Sequence, residues 1–258
     1  MKDLVSVIIN CHNGDQYLKK AIKSVISQTY SNWELVFWDN CSNDKSEKII
    51  KSFNDKRIRY FRSKSFTSLY KARNCALKKT KGKYICFLDV DDIWLKNKLK
   101  KQIEFFKFNS QFKIIYSNYF VKKNKKLFLK FNENLESGLI TQKLLKKYSV
   151  GILTTMINKK VFQKIKFNNF FNIIGDFDFF IKASLKYEFA YLNEPLAIYR
   201  IHDNNYSAKN LNQFIFELQS WLKINKKRIY DKKISLYYQY EYLVKLKIRF
   251  FIKKYLGV

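Results

Sequence analysis

Glycine, proline and histidine are scarce in this chain of 258 residues, which has six glycines, one proline and two histidines. Collagen-like repeats, proline-rich linkers and glycine-rich low-complexity segments need far more glycine or proline, so these classes are excluded. Neither a Gly-x-Gly-x-x-Gly nor a Gly-Lys-Ser/Thr string occurs. This absence argues against a dehydrogenase and against a P-loop enzyme.

Closely spaced cysteines and long apolar runs are also missing. The cysteines contain no Cys-x-x-Cys pair, so we expect reduced, buried thiols and no zinc knuckle. They are Cys11, Cys41, Cys75 and Cys86. No apolar run approaches the roughly 18 residues of a membrane-spanning helix, and no signal-peptide core follows Lys2 and Asp3. We expect a cytoplasmic protein.

Negative charge is in short supply: 21 acidic residues face 51 basic ones, which gives a net charge of +30. A content of 47% hydrophobic and 18% aromatic residues is too apolar for a disordered polycation, so the chain is expected to fold. Lysine dominates the basic residues, which fits the residue usage of an AT-rich genome. The charge also fits attraction to an anionic membrane, substrate or nucleic acid.

Segments of two periodicities alternate along the first hundred residues. Short apolar runs typical of buried strands alternate with segments whose apolar residues recur every three or four positions, as in amphipathic helices. The predicted strands are Val5–Ile9, Trp33–Asp39, Ile58–Phe61 and Tyr84–Leu88. The alternation predicts an α/β fold, with a mostly parallel sheet covered by helices on both faces.

Polar side chains follow three of these predicted strands. Ligands of open α/β sheets bind beyond the carboxyl ends of the strands, so these residues are candidates for a binding site. They are Asn10, His12, Asn13, Asp39, Asn40, Asp89, Asp91 and Asp92.

The second half of the chain is less regular. We predict a strand over 113–119, a lysine-rich turn leading into a second strand, and further strands over 154–157, 187–192 and 196–201. A helix is predicted over 176–186. From Leu211 onward the pattern indicates two basic, aromatic-rich helices that form a C-terminal extension.

The sharpest local signal is the acidic cluster Asp89, Asp91 and Asp92, directly after the strand Tyr84–Leu88. Carboxylates this close repel one another unless a cation shares them, and Mg²⁺ or Mn²⁺ suits such oxygen ligands. The alternative is a solvated acidic turn that caps the following helix. The three residues alone do not decide between these interpretations.

The wider context resembles the family 2 glycosyltransferases, which have the GT-A fold. The residues from Val5 to Ile9, Ala21 to Tyr30, and Asn32 to Val36 are similar to the opening of that family. Further segments are similar to its later motifs, in the same order. These are Asp39 to Asp44, Lys71 to Asn74, Lys81 to Trp94, Gly175 to Asp178 and Asn193 to His202. The resemblance covers about residues 4–206.

The resemblance implies roles for individual residues. It implies that Asp176 is the catalytic base, that Asp91 binds Mn²⁺ or Mg²⁺, and that His202 faces the metal or the diphosphate. It implies that Asp89 faces the ribose. The other implied contacts of the nucleotide sugar are Ile9, Asn10, His12, Asn13, Asp39, Asn40, Arg73 and Val90.

The resemblance also implies a domain organisation and a reaction. Residues 1–206 would form the catalytic domain, with a nucleotide-binding half (1–110) and an acceptor-binding half (111–206), followed by a helical tail (207–258). The implied reaction is inverting transfer of a sugar from a UDP-, dTDP- or GDP-linked donor to a hydroxyl of a glycan or lipid-linked acceptor. Bacterial surface polysaccharide synthesis is the expected setting.

The sequence departs from the family pattern at three positions. Asn10 replaces a usual proline and Asn40 replaces an aspartate, so an amide would contact the base and the nucleotide stays open. Gly175 replaces an acidic residue, which makes Asp178 a competing candidate for the base. We favour Asp176, because Asp178 lies two residues further along the helix and should point elsewhere.

Two alternatives for the whole protein and two for its tail stay open. The rival function is that of a basic nucleic-acid-binding protein, although we expect no nucleic-acid partner. The other alternative is a degenerate glycosyltransferase, which would bind nucleotide without turnover. The tail, with its basic and aromatic residues, can lie on an anionic membrane at the inner face of the cytoplasmic membrane. It can equally pack on the catalytic domain or on a second subunit.

Overall fold

A computed structural model describes residues 3–202 and 206–255. The strands are β1 (Val5–Cys11), β2 (Trp33–Asp39), β3 (Ile58–Arg62), β4 (Tyr84–Phe87), β5 (Ile93–Trp94), β6 (Ile114–Lys123), β7 (Lys126–Leu129), β8 (Met156–Asn158) and β9 (Phe189–Ile201). The helices are α1 (Asp15–Ile26), α2 (Ser46–Lys51), α3 (Leu69–Leu77), α4 (Lys98–Phe108), α5 (Thr141–Lys146), α6 (Val161–Lys164), α7 (Gly175–Ser184), α8 (Tyr206–Lys209), α9 (Leu211–Tyr230) and α10 (Tyr237–Tyr255). A short 3-10 helix spans Ile152–Thr154.

The strands form one sheet in the order β3-β2-β1-β4-β8-β6-β9-β5, and β7 pairs with β6. Pairing is parallel among β3, β2, β1 and β4 and between β6 and β9, whereas the remaining pairs are antiparallel. The predicted α/β class is therefore confirmed. The parallel strands β1, β2 and β4 end side by side, at one edge of the sheet.

Successive residues of the central strands enter two different apolar clusters. In β1, Val7 and Ile9 belong to the cluster that includes α1, whereas Ile8 belongs to the cluster that includes α7. Side chains alternate between the two faces of a strand, so a strand that is apolar at every position is buried on both faces. This explains why the strands read as continuous apolar runs rather than as an alternating pattern.

The strand β9 corrects one prediction. The segment around Pro195 suggested a break between two strands, but β9 runs continuously from Phe189 to Ile201. Its register against β6 shifts beside Asn118, where Ser117 pairs with Leu192 and Asn118 pairs with Pro195. A bulge absorbs the extra residues and tolerates the proline, which cannot donate a hydrogen bond to the ladder.

Smaller differences concern element ends. The predicted strand 154–157 begins only at Met156, because Thr154 ends a 3-10 turn in which its Oγ1 donates to the Gly151 carbonyl at 2.7 Å. The short strand β5 follows Asp92 directly and pairs with β9, so the acidic cluster does not lead straight into a helix. The pairing of β5 depends on residues distant in sequence, which local periodicity does not report.

The C-terminal helices pack against the rest of the fold. Trp221 of α9 is fully buried, and its Nε1 donates to Asp178 Oδ1 of α7 at 3.1 Å. Leu243 and Leu246 of α10 are buried in the same apolar cluster as α5 and α9. No helix among residues 3–202 and 206–255 is both long and apolar enough to cross a membrane. The proposed division at residue 206 stays a prediction.

Candidate active site

The loops after β1 and β4 touch one another at the sheet edge. A Cβ built at Gly14 would lie 2.9 Å from Cγ2 of Val90, so only a residue without a side chain fits here. Asn13 and Cys41 have positive φ angles of 53° and 67°, which turn the chain sharply after β1 and β2. The strand ends are therefore brought within contact, as the parallel topology requires.

Asp39 is fully buried and hydrogen-bonded. Its Oδ1 accepts from the Ser42 backbone N–H at 2.7 Å, and its Oδ2 accepts from Tyr60 at 2.8 Å and Arg62 at 2.9 Å. Burial, together with the Asp39 carboxylate, raises the pKa of Tyr60 to about 12. This carboxylate thus organises the end of β2.

The Asn40 side chain holds the loop before α3. Its Nδ2 donates to the Thr67 carbonyl at 2.7 Å, and its Oδ1 accepts from Thr67 Oγ1 at 3.0 Å. The His12 ring lies 4.4 Å from the Phe66 ring and its Nδ1 lies 3.1 Å from the Asn40 carbonyl oxygen. Both polar atoms of the Asn40 amide are therefore engaged in ordering this loop.

Asn10 differs from Asn40 in that its amide has no hydrogen-bond partner. Asn10 is 8% exposed, and neither Oδ1 nor Nδ2 bonds to any group in the described part of the chain. Its neighbour across the ladder, Trp38, has a buried Nε1 that is likewise unbonded there. Buried polar groups are normally satisfied, so this spot at the end of β1 is unusual.

Arg73 connects α3 to the acidic cluster. It is 2% exposed and donates to Asp89 Oδ1 at 2.6 Å, and its guanidinium lies 5.1 Å from the Tyr70 ring centre. Burial lowers the pKa of Arg73, but the negative charge of Asp89 and its neighbours has a larger, opposite effect. The pKa of Arg73 is therefore raised overall, and Arg73 stays charged. A buried guanidinium held in this way places fixed positive charge beneath the cluster.

Asp91 and His202 come together from segments far apart in sequence. His202 Nε2 lies 2.9 Å from Asp91 Oδ2, and the Tyr17 ring stacks on the His202 ring at 4.6 Å. Arg200 donates through its Nε to the Asp91 carbonyl and lies over the Tyr17 ring at 4.9 Å. Sequence reasoning did not assign roles to Tyr17 and Arg200, although Arg200 lies in the family-like segment from Asn193 to His202.

The acidic cluster is partly desolvated, since Asp92 is buried and Asp89 and Asp91 are half-buried. Burial first, and then the Asp89 carboxylate, raises the pKa of Asp91, while burial and Asp91 raise the pKa of Asp92. Carboxylates in this state gain from a shared cation. Nevertheless, among the residues that the structure describes, no group of three or more His, Cys, Asp or Glu side chains is arranged to hold a metal ion.

A cavity of about 190 Å³ joins the acidic cluster to α7. Asp89, Asp92 and Asp176 all line it, so the structure brings the predicted base to the predicted donor site. Sequence reasoning missed the tyrosines that share this lining. They are Tyr119, Tyr148 and Tyr199.

Asp176 and Asp178 have different surroundings. Asp176 Oδ1 accepts from the Phe177 backbone at 2.7 Å and from Tyr70 at 3.3 Å, whereas its Oδ2 has no bond in the described chain. Asp178 is fully buried, and Lys182 and Trp221 donate to its two oxygens. Only Asp176 lines the cavity.

A second cavity, of about 410 Å³, is lined by His202 and Tyr17. The end of β6 contributes Lys122 and Lys123, and β9 contributes Arg200. Three cationic side chains around one space suit a phosphate group.

Comparison with known proteins identifies the family. The family model described as Glycosyl transferase family 2 matches residues 6–186 of the chain. The chain belongs to this family.

Several members of the family are similar in sequence over most of the chain. The chain is 35% identical over 164 residues to the Escherichia coli UDP-Glc:alpha-D-GlcNAc-diphosphoundecaprenol beta-1,3-glucosyltransferase WfgD, a match that spans 64% of this chain and 64% of WfgD. It is 32% identical over 210 residues to the "Putative teichuronic acid biosynthesis glycosyltransferase TuaG" of Bacillus subtilis (80% and 82%). These relatives support a glycosyltransferase enzyme.

Solved structures confirm the GT-A resemblance at the level of the fold. S. aureus TarS 1-349 in complex with UDP-GlcNAc superposes with a TM-score of 0.73 at 17% identity, covering 97% of this chain and 73% of TarS. The Pyrobaculum calidifontis mannosyltransferase PcManGT, in complex with GDP-Man and Mn2+, gives a TM-score of 0.65 at 13% identity (88% and 65%).

Proposed function

We propose that this glycosyltransferase moves a sugar from a nucleoside diphosphate to a hydroxyl of a glycan or lipid-linked acceptor, with inversion, in bacterial surface polysaccharide synthesis. The observation that carries the proposal is the single cavity that Asp176 shares with Asp89 and Asp92. The name of WfgD, which describes glucosyl transfer from UDP-Glc to a lipid diphosphate-linked sugar, supports this acceptor class.

Asp176 is the proposed base. Burial raises its pKa, and the positive charge of Arg73 opposes that effect. A carboxylate with a raised pKa is a better proton acceptor, and its unbonded Oδ2 leaves a site for the acceptor hydroxyl. As the acceptor oxygen bonds to the anomeric carbon, the bond from that carbon to the diphosphate oxygen breaks and the hydroxyl proton passes to Asp176.

The strand-end loops are the proposed nucleotide site. Asp39 and Asn40 order the end of β2 and the loop before α3, and Asn10 offers an unbonded amide at the end of β1. Asp89, held by Arg73, is the proposed contact of the ribose. The further proposed contacts are Ile9, His12, Asn13 and Val90.

Asp91 and His202 are the proposed ligands of a divalent cation. A carboxylate and an imidazole nitrogen 2.9 Å apart can both bind Mn²⁺, whereas Mg²⁺ would use the carboxylate oxygen, with water and phosphate oxygens as further ligands. The bound ion would supply positive charge to the departing diphosphate. PcManGT, whose complex contains both GDP-Man and Mn2+, supports a divalent metal in this fold.

Thermal shift and calorimetry with UDP, dTDP, GDP and CMP, each with and without Mn²⁺, test the donor site. We expect one nucleoside diphosphate to raise the unfolding temperature in a Mn²⁺-dependent manner, because a ligand that binds only the folded state stabilises it. Asp91→Ala should lose the effect. Asp231→Ala, which changes an exposed aspartate at the end of α9, is the matched control.

Slow release of the nucleoside diphosphate from the matching nucleotide sugar then tests turnover. Binding without turnover would indicate a degenerate enzyme. If no nucleotide stabilises the chain, the proposed function is wrong.

We also propose that α10 lies on an anionic membrane, where a lipid-linked acceptor is found. Six apolar or aromatic residues recur at three- and four-residue intervals along α10 and are 39–65% exposed. They are Tyr237, Tyr240, Val244, Ile248, Phe251 and Tyr255. The buried residues Leu243 and Leu246 lie on a different face, so α10 has two apolar faces.

The charge around these six exposed residues favours an anionic membrane over a second copy of the chain. Lys245, Lys247 and Lys254 flank them, and the chain carries a net charge of +30. A second copy would bring like charges together, whereas anionic lipid attracts them. Aromatic residues above a basic flank are typical of helices that lie in a membrane interface.

Flotation with phosphatidylglycerol vesicles at low salt tests the membrane contact. Wild type should float, and Ile248→Glu combined with Phe251→Glu should reduce the floating fraction at least threefold. Phe108→Glu, at an 86% exposed phenylalanine of α4, is the control and should float like wild type. A dimer that the double variant abolishes, without flotation of wild type, would overturn the membrane assignment.

A further inference from the structure

The cavity between the acidic cluster and α7 has an aromatic wall from three separate segments. Tyr119 comes from β6, Tyr148 from the loop after α5, and Tyr199 from β9. The same cavity is lined by the carboxylates of Asp89, Asp92 and Asp176. Nothing in the family comparison assigns these tyrosines.

The hydroxyl groups of these tyrosines share an unusual property. Tyr148 has a buried hydroxyl without a partner, and the hydroxyls of Tyr119 and Tyr199 make no hydrogen bond to any residue that the structure describes. Elsewhere in the core, Tyr70 and Tyr116 donate to backbone carbonyls at 3.3 and 2.6 Å. An unbonded buried hydroxyl is costly, so Tyr148 indicates a ligand that completes it. Tyr119 and Tyr199 are half-buried on the same cavity, and their hydroxyls can bond to the same ligand.

Neighbouring groups hold the three rings in place. Tyr119 and Tyr199 meet edge to face at 6.4 Å, and Tyr148 meets Phe177 in the same way at 5.4 Å. A Cβ at Gly151 would lie 3.0 Å from Cε1 of Tyr119, so the ring occupies space that a side chain would need. These contacts fix the orientation of the rings that form the wall.

The chemistry of the cavity matches a sugar ring. A pyranose has apolar C–H faces, which pack on aromatic rings, and hydroxyls that both donate and accept. Tyrosine hydroxyls can donate to the sugar oxygens, whereas Asp92 and Asp176 can accept from sugar hydroxyls. An apolar ligand would leave these groups unsatisfied, and a phosphate would meet the carboxylates.

We propose that Tyr119, Tyr148 and Tyr199 bind the hydroxyls of one sugar ring at the reaction centre and thereby determine which sugar is accepted. This inference rests on the proposed function. The ring belongs either to the donor or to the acceptor, because both have the same chemistry and both must approach Asp176.

The test uses the three single Tyr→Phe variants of the full chain. None loses a hydrogen bond within the described structure, so each should unfold at the wild-type temperature or slightly above it. Calorimetry compares UDP-glucose with UDP, and GDP-mannose with GDP, in the presence of Mn²⁺. For a donor sugar, the ratio of the two affinities should fall about 3- to 10-fold per variant, while the affinity for the nucleoside diphosphate stays unchanged.

A second arm measures KM for a synthetic N-acetylglucosamine diphospholipid, which should rise by the same factor if the ring is the acceptor's. Tyr116→Phe is the matched control, because its hydroxyl bonds to Glu136 and does not line the cavity. Unchanged affinity ratios and unchanged KM in all three variants would overturn the inference and leave the proposed function intact. Failure of wild type to bind any nucleoside diphosphate would overturn the proposed function and this inference with it.

Discussion

At the scale of the residue, two aspartates that lie two positions apart on α7 have opposite surroundings. Asp176 faces a cavity with one unbonded oxygen, whereas Asp178 faces α9 and is saturated by Lys182 and Trp221. A separation of two residues rotates a helical side chain by about 200°, so these two acids lie on opposite faces of α7. The sequence supplied both candidates, and their surroundings distinguish them.

Replacing Asp176 with Asn tests the base. Asn keeps an oxygen that accepts from Phe177 and Tyr70 but removes the proton acceptor, so kcat should fall by about 10²- to 10⁴-fold. Nucleotide affinity should not change. A kcat within about threefold of wild type would contradict the assignment.

The pH profile of wild type provides an independent check. The base acts only when ionised, so kcat should fall as the pH falls through the pKa of Asp176. Burial raises that pKa, opposed by Arg73 and helped by the Asp89 charge, and so the acidic limb should lie above the usual range of an aspartate. A profile that is flat down to about pH 4, the usual pKa of an aspartate, would contradict this.

Asp178→Ala should affect stability rather than chemistry. The substitution leaves the buried Nε1 of Trp221 without its acceptor, which costs about 1–3 kcal/mol in the free energy of unfolding measured in urea. Lys182 is partly exposed and can turn to water. Since Asp178 does not line the cavity, kcat of the folded variant should stay within about threefold of wild type; a loss of about a hundredfold would make Asp178 the base.

At the scale of the element, α9 holds the loop that leads into α7. Glu217 of α9 is 2% exposed and accepts from three consecutive backbone N–H groups at 2.8, 2.9 and 3.1 Å. They belong to Asn172, Ile173 and Ile174, just before α7. These N–H groups precede the first turn of α7, and a buried carboxylate that accepts from all three fixes the loop that leads into the helix.

Glu217→Ala should therefore weaken the start of α7 and the placement of Asp176. We expect a loss of at least about 2 kcal/mol in urea unfolding and faster amide exchange at residues 172–174. Glu217→Gln keeps one acceptor oxygen and should lose less. Unchanged exchange in the alanine variant would show that α9 does not hold this turn.

At the scale of the whole molecule, charge opposes folding. The net charge of +30 is brought together in a compact fold, and like charges at the surface repel one another. Added salt shortens the screening length from about 30 Å at 0.01 M to about 10 Å at 0.1 M. The melting temperature should consequently rise as NaCl is added over this range, by about 2–4 °C for each kcal/mol of repulsion relieved. A fall would mean that specific ion pairs outweigh net repulsion.

The sequence alone determined the fold class, most of the strands and the order of the family motifs. Strands buried on both faces require continuous apolar runs, and helices on a sheet require apolar residues every three or four positions. Both patterns involve residues that are close in sequence, so the elements can be predicted from the sequence alone. The motif that ends in Asp91 and Asp92 could also be identified from the sequence, because its residues are adjacent in the chain.

Only the tertiary structure determined which distant residues contact one another. The contact of His202 with Asp91 joins residues 111 positions apart, and the support of α7 by Glu217 joins residues at least 43 positions apart. The three tyrosines around the Asp176 cavity and the bulge that carries Pro195 within β9 depend equally on separate segments. Hydrogen bonds and ring contacts act over a few ångströms in space and leave no periodicity along the chain, which is why the sequence could name the acids but not the cavity that they share.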